Sequence, residues 1–260
     1  YQDIRNVSGE GTFGAFDGEV SVRHDDNSAF GGANTGSLAL GWRANELLRV
    51  YTNVGQGFRS PTMNELYDPG YGGYFAGNPD LQPERSRSSE IGVEFAPSAG
   101  QKLQANAYST RVDDLIAFTG ANNQAINIAH AKIDGVELSY AVSAGAWTGR
   151  ASCTWQDARD GDTGAALLRR AKNKASGVLE RRFGDRLSGG VEVLAAGRRA
   201  DVGGVELGGY AIVNLRARYR IGSAWSVVAR LENLAGRDYE LVHGYNTPGR
   251  SAFLEIAWAP

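Results

Sequence analysis

The stretch 210–233 constrains the fold more than any other, because its apolar residues recur in twos. Ala211, Val213, Leu215, Ala217, Tyr219 and Ile221 share one face of an extended chain. Asn214, Arg216, Arg218 and Arg220 share the other, with Ile212 the one apolar exception. After Gly222-Ser223-Ala224 the alternation resumes, with Trp225, Val227, Ala229 and Leu231 set against Ser226, Val228, Arg230 and Glu232. Successive side chains change face only in a strand, so the stretch reads as a hairpin with one apolar and one charged face. Tyr219 and Trp225 flank the turn on the apolar face, where an aromatic belt at a lipid–water boundary lies. The charged face requires water or paired charges rather than a packed core. Each strand is about ten residues long, the length a tilted strand needs to cross a bilayer. A transmembrane β-hairpin meets all of these conditions.

The rest of the chain follows the same rule. Alternating rows recur in Ile4–Phe13 and Gly18–Asp25, and through Leu38, Leu40 and Trp42. They continue at Leu48 and Val50, Ile91–Phe95, Leu103–Ala107, Val136–Val142 and Trp147–Trp155. Less regular strands are expected over Ala171–Arg182 and Leu187–Ala196, and a last one carries Leu254, Ile256 and Trp258 outward. Short connections at Ala15–Asp17, Arg43–Glu46, Pro97–Gly100, Ser143–Ala146, Phe183–Arg186 and Gly222–Ala224 alternate with long ones. The long ones are expected at 26–34, 58–86, 112–131, 157–170, 197–209 and 235–249, the rhythm of tight periplasmic turns and extended outer loops. Trp42, Trp147, Trp155, Trp225 and Trp258 are expected to face lipid, and Arg150, Arg216, Arg218 and Arg230 the lumen. A soluble β-sandwich accounts for the alternation but not for the loop rhythm or for so many strands of crossing length.

Composition narrows the alternatives. No apolar run approaches 18 residues, which excludes helical membrane spans. Glycine is 35 of 260 residues, scattered and without a collagen period, and suits tight turns and close strand packing. A formal charge of −2 argues against a general nucleic-acid binder. The single cysteine, Cys153, excludes an internal disulfide. The chain begins at Tyr1 without an initiator Met or signal peptide. Its rows count to about thirteen strands, where single-chain bacterial barrels have even numbers. The expected architecture is therefore all-β: a transmembrane antiparallel β-barrel, residues 1–260 supplying its C-terminal portion and the first strands lying upstream.

Two segments carry a family resemblance. Tyr51-Thr52-Asn53-Val54-Gly55-Gln56-Gly57-Phe58-Arg59-Ser60-Pro61-Thr62 runs on through Asn64-Glu65-Leu66-Tyr67, and Gly77-Asn78-Pro79-Asp80-Leu81-Gln82-Pro83-Glu84-Arg85-Ser86 follows. Together they resemble the barrel signature of TonB-dependent outer-membrane receptors. Arg23 to Gly31, Leu167-Leu168-Arg169-Arg170-Ala171-Lys172, and Asn233-Leu234 through Asp238-Tyr239-Glu240 to Gly244-Tyr245-Asn246-Thr247-Pro248-Gly249-Arg250 resemble the cobalamin receptors of that family, in matching order. The resemblance spans essentially the whole chain. It implies a 22-stranded barrel with a plugged lumen, of which this chain is the C-terminal half. The plug and the segment gripped by TonB–ExbB–ExbD would precede Tyr1. It further implies a bacterial outer-membrane location, contact with the lipid bilayer and lipopolysaccharide, active import of cobalamin or a related corrinoid, and no enzyme activity. One departure is at the end: the family closes on an aromatic residue, and here Ala259 and Pro260 follow Trp258.

The resemblance also assigns site residues. Arg169, the first arginine of Leu-Leu-Arg-Arg, and Tyr245 match substrate-contacting positions, whereas an arginine pair or a loop tyrosine read alone is as well explained by solvation and local packing. An arginine at the mouth offers several fixed donors to amides or phosphate, and a tyrosine offers a flat face and one hydroxyl. Tyr67, Tyr71, Tyr74 and Phe75 cluster in the longest loop and suit either ligand contact or loop packing. Asp157, Asp160 and Asp162, with Asp25 and Asp26, miss the EF-hand spacing and are expected as turn formers. No cofactor or metal is expected within this chain, the family's calcium cage falling in earlier loops. His24, His130 and His243 form no catalytic motif; His243 with Asp238 and Glu240 is the best enzymatic set on offer. The competing readings are a ferric-siderophore receptor of the same architecture and a passive porin-like barrel.

Overall fold

The computed structural model describes residues 2–28 and 30–259, the side chains of Gln2 and Ala129 excepted. Ala29, within the Arg23–Gly31 stretch, and Pro260 lie outside the described residues. Thirteen strands form one antiparallel sheet, each hydrogen-bonded to the strands before and after it. They are β1 (Gln2–Phe13), β2 (Phe16–Asn27), β3 (Gly31–Arg43), β4 (Leu48–Arg59), β5 (Glu84–Ser98), β6 (Gln101–Phe118) and β7 (Ala125–Ala144). After these come β8 (Trp147–Asp160), β9 (Asn173–Phe183) and β10 (Leu187–Ala196), and then β13 (Tyr210–Ile221), β14 (Trp225–Glu232) and β15 (Ser251–Trp258). Between β10 and β13, β11 (Arg199–Ala200) and β12 (Glu206–Leu207) make a separate two-stranded clip. A single short helix, α1 (Met63–Tyr67), interrupts the connection from β4 to β5.

Strand register joins the apolar positions into one continuous face. Trp42, Val50, Val93, Ala105, Leu138, Cys153, Ala175, Ala195 and Ala211 pair across the sheet, position by position. Trp225 pairs with Trp258, their rings 6.3 Å apart. All five tryptophans lie on this face, and Arg150, Arg216, Arg218 and Arg230 on the other. Leu40, Ile91, Leu138, Trp155, Leu254 and Ile256 remain exposed, which an aqueous surface of this extent would not tolerate and a lipid-facing band requires. On the inner face the charges are paired: Arg49 with Asp17 at 2.5 Å and Lys102 with Glu94 at 2.9 Å. The inner side is also fitted by size. A Cβ at Gly92 would run into the ring of Tyr51, and one at Gly135 into Tyr108, so each tyrosine lies flat over a glycine of the next strand. Ile212, the exception to the alternation, is buried opposite Leu194 on this inner side.

Two expected long connections prove to be mostly strand. β2 and β3 stay paired as far as Asn27 and Gly31, within the 26–34 stretch that was expected to be loop. β6 and β7 stay paired out to Phe118 and Ala125, reducing the expected 112–131 loop to 119–124. At 18 and 20 residues they run to about 60 Å, twice the thickness of a hydrocarbon core. Beyond the membrane both faces of a strand meet water, so the apolar alternation that marks it ends while its hydrogen bonds continue.

Candidate ligand site at the outer mouth

The end of the sheet opposite the tight turns carries the long connections, and three of them meet at one carboxylate. In the 161–172 connection, Leu167 turns inward and is buried with Val112, Ala131 and Ala158, residues of β6, β7 and β8. Its N–H donates to the Ala158 carbonyl at 3.0 Å, which fixes the loop two residues before Arg169. Arg169 then takes a left-handed backbone, φ 59°, a conformation that costs a non-glycine residue about 1 kcal/mol or more. Its own N–H donates to the Ala200 carbonyl at 2.7 Å.

Asp201 is the common point. One carboxylate oxygen accepts from Arg169 Nε at 2.7 Å and from the Val202 N–H at 2.8 Å. The other accepts from the His243 N–H at 2.7 Å. Connections 161–172, 197–209 and 233–250 are thereby tied to a group with 1% of its surface exposed. Burial pushes the Asp201 carboxyl up, but the two backbone donors and the Arg169 guanidinium outweigh it and hold the group below its ordinary value. Arg169, at 40% side-chain exposure, keeps part of its guanidinium free of the pair.

A second arginine stands behind the first. Arg199 is buried, its guanidinium 5.5 Å from the centre of the Tyr210 ring, which in turn stacks on Tyr239 at 4.4 Å. Its Nη2 donates to the Glu240 carbonyl, while its buried Nη1 has no hydrogen-bond partner among the described residues. Arg169, Lys174, Arg199, Thr154, Tyr210 and Leu241 line a cleft of about 540 Å3 on the inner side of the sheet. Among the described residues no carboxylate lies within 4.0 Å of Lys174 or Arg199. The cleft is therefore cationic, with an aromatic wall, and suits a large ligand rich in carbonyl, amide or anionic oxygen.

The expected site residues divide between two places. Arg169 lines the cleft. Tyr245 sits two residues beyond the His243 anchor, with its N–H donating to the Val242 carbonyl at 3.1 Å and the residue 72% exposed. It does not line the cleft; the last outer loop contributes Leu241 there, and Tyr239 behind Tyr210. Tyr67, Tyr71 and Tyr74 are exposed on the 60–83 connection, where Tyr71 and Tyr74 pair as a small hairpin. That connection is tied to 119–124: the Phe75 N–H donates to Asn122 and the Ala125 N–H to Ala76. Lys174, Arg199, Asp201 and Tyr210 were not marked as site residues by the sequence.

Each of the other marked groups is engaged locally. Asp157 pairs with Arg159, Asp160 accepts from the N–H groups of Asp162 and Thr163, and Asp162 lies 3.0 Å from His130. Arg23 pairs with Asp25. Among the described residues no three His, Cys, Asp or Glu side chains form a group able to hold a metal ion. His243 lies 3.5 Å from Glu240, with both side chains more than a third exposed.

Comparison with known proteins agrees with this architecture. The family model described as "TonB dependent receptor-like, beta-barrel" matches residues 7–234. The chain is 33% identical over 248 residues to the vitamin B12 transporter BtuB of Vibrio vulnificus (strain YJ016). That match covers 92% of this chain and 39% of the relative, so the chain spans about two fifths of its length. Among solved structures, the copper transporter OprC superposes with a TM-score of 0.78 at 18% identity, over 99% of this chain and 48% of that one. The siderophore receptor PirA of Acinetobacter baumannii does so with a TM-score of 0.78 at 19% identity, over 99% and 46%. These two share the fold. The lipid-facing band, the loop rhythm and the family match together show that the chain belongs to the TonB-dependent receptors of the outer membrane, as part of their β-barrel.

Proposed function

We propose that the receptor containing this chain captures a corrinoid at its outer mouth and imports it with energy delivered through TonB. The observation that carries this reading is the 33% identity, over 92% of the chain, to a protein named as a vitamin B12 transporter. The cleft supports it: Arg169 and Lys174 offer donors to peripheral amides and phosphate, and Tyr210 and Leu241 offer apolar contact. In this reading Arg169 donates to the ligand, and Tyr245, exposed on the loop above, closes over it. Tyr67, Tyr71 and Tyr74 contribute contact from the opposite connection. The outer membrane holds no ATP, so inward movement of a tightly bound ligand requires the TonB–ExbB–ExbD partner.

The test uses the full-length receptor. Labelled cyanocobalamin should bind with or without TonB and enter cells only with it. Arg169→Ala should weaken binding by about 1.5–3 kcal/mol, the worth of a charged hydrogen bond. Tyr245→Ala should weaken it less, and Arg170→Ala should leave it unchanged. Wild-type affinity in both target variants would remove this site assignment, and equal uptake without TonB would favour a passive pore. A ferric-siderophore cargo is the second reading, favoured by Lys174 and Arg199, which have no carboxylate partner among the described residues and suit an anionic iron chelate. Tight binding of such a chelate with no binding of cyanocobalamin would establish it.

A further inference from the structure

One cation in the cleft is buried without a counter-charge. Arg199, on the short strand β11, is 7% exposed. A guanidinium keeps its charge and carries five N–H donors in a fixed fork. Nη2 donates to the Glu240 carbonyl, while Nη1 is shielded from solvent and has no partner among the described residues. The Tyr210 ring, 5.5 Å from the guanidinium carbon, offers an attractive face but no net charge. Burying a charge with a donor left over is unfavourable until an acceptor is brought to it.

The acids beside Arg199 are engaged by other groups. Asp201 gives one oxygen to Arg169 and the Val202 N–H, and the other to the His243 N–H. Glu206, on the partner strand β12, lies 3.5 Å from Arg198. Glu240 accepts from Arg199 through its carbonyl but turns its carboxylate to His243 at 3.5 Å. Lys174, on the same cleft wall, pairs in register with Ala196 on one side and Thr154 on the other. The Thr154 hydroxyl donates to Glu137 at 3.3 Å, which places that acid one strand further away. Asp201 therefore balances Arg169, while Lys174 and Arg199 have no carboxylate within 4.0 Å among the described residues.

We propose that Arg199, together with Lys174, determines specificity in the cleft by receiving one phosphate on the ligand's periphery, so that the receptor selects corrinoids that carry it. This rests on the corrinoid reading above and divides the work among the three cations. Arg169 shares its Nε with Asp201, and its remaining donors serve neutral amide oxygens. Arg199 and Lys174 serve the acid: a guanidinium presents paired donors matched to phosphate oxygens, and an ammonium adds a point charge. An amide in that place would accept hydrogen bonds but leave two positive charges unbalanced. The cleft, at about 540 Å3, has room for such a group beside the apolar surface of Tyr210 and Leu241. Nη1 is shielded, so the phosphate reaches it as the wall gives way, and Leu241, 50% exposed next to Glu240, is the wall residue with room to turn.

The test is binding of three corrinoids to the full-length receptor in detergent: cyanocobalamin, cobinamide phosphate, and cobinamide, which lacks the phosphate. Wild type should bind the two phosphorylated ligands about tenfold more tightly than cobinamide. Arg199→Gln should remove that difference, weakening the phosphorylated pair about tenfold and leaving cobinamide unchanged. Arg199→Lys, which keeps the charge but not the fork, should fall between. Lys174→Gln, at an exposed position, should weaken the phosphorylated pair about threefold and carries the test if the buried Arg199 variants fail to fold. Arg198→Gln is the control, an exposed neighbour set against Glu206, and should alter none of the three affinities. Retention of the heat-modified gel shift shows that each variant has folded. Equal affinity of wild type for all three ligands, or loss of all three alike in the folded variants, would overturn this inference and leave the corrinoid reading standing. Failure of wild type to bind any of the three would overturn the corrinoid reading and this inference with it.

Discussion

The outer end of this barrel is built in two ways. On the β4–β7 side, connection 60–83 is held by apolar burial: Leu66, Leu81, Ile116 and Ala125 form a small core, with Phe30 and Phe118 against it. Polar ties reinforce it. Thr62 and Glu65 make a reciprocal cap on α1, and Arg59 bridges Glu65 at 2.9 Å and Glu84 at 2.6 Å. On the β8–β15 side, three connections share Asp201; Leu167 joins a buried apolar cluster, while Ala171 and Leu207 are buried outside it. The first construction has several independent supports, so losing one leaves the others. The second concentrates three loops on one group, and in doing so orients Arg169 beside Lys174 and Arg199. Apolar burial gives a stable shelf for exposed tyrosines; a buried carboxylate gives direction to cations. The ligand cleft lies with the second.

The largest effect should come from Leu81→Ala. Leu81 is 2% exposed, and truncating a buried leucine costs about 2–5 kcal/mol in lost transfer energy and cavity. The loss should be confined to the 60–83 connection, read as faster amide exchange and proteolysis there. Protection of 161–172 and 233–250 should not change. Faster exchange at both sites would show that the two constructions are one cooperative unit.

Asp201→Ala tests the other side. It leaves the Val202 and His243 N–H groups and the Arg169 guanidinium without their shared acceptor, each worth about 1 kcal/mol or more where water cannot replace it. Arg169 is partly exposed, so water recovers part of its loss, and a total of about 2–3 kcal/mol is expected. Exchange should rise in all three connections together while 60–83 stays protected. Asp201→Asn keeps an acceptor oxygen but loses the charge, and should fall between Ala and wild type. If only the 197–209 connection loosens, Asp201 is a local cap and not the joint of three loops.

The contrast also explains what was legible in the sequence. The lipid and lumen faces were readable because membrane burial imposes a period of two, as Trp147, Ala151, Cys153 and Trp155 on one face of β8 illustrate. The outer halves of β6 and β7 were not, because Lys132, Asp134 and Arg111 are polar on a face that further down is Val136 and Leu138. Arg169 was legible only through its Leu-Leu-Arg-Arg context. Asp201 was not: an aspartate in a glycine-rich loop is ordinarily a turn former, and its partners are 32 and 42 positions away in the chain. Nothing local marks a residue whose role is to join distant loops. Tyr245 shows the opposite case, a position that the family motif marks but that the described contacts leave at the surface, outside the cleft.

Acid should separate the two constructions with the smallest effect, and one absent at neutral pH. The Asp201 carboxyl is held below its ordinary value of 3.8, since its three donors outweigh burial. A carboxyl lowered in the folded state adds stability that is fully present above the unfolded value. That stability is lost as pH falls through the folded value, so the window lies below 3.8. Glu65 is also held low: burial raises it, and Arg59 and Thr62 more than compensate. Its protonation removes one support of the 60–83 connection, while Leu66, Leu81, Ile116 and Ala125 stay buried. Protonation of Asp201 removes the one group that, among the described residues, is common to the other three connections. Amide exchange measured on the full-length receptor in steps from pH 5 to pH 2, corrected for intrinsic rates, should therefore show 161–172 and 233–250 opening before 60–83. Asp201→Asn, which cannot titrate, should abolish that order. Simultaneous opening of both sides in wild type, or an unchanged order in the variant, would mean that the buried carboxylate does not set the acid response of the cleft.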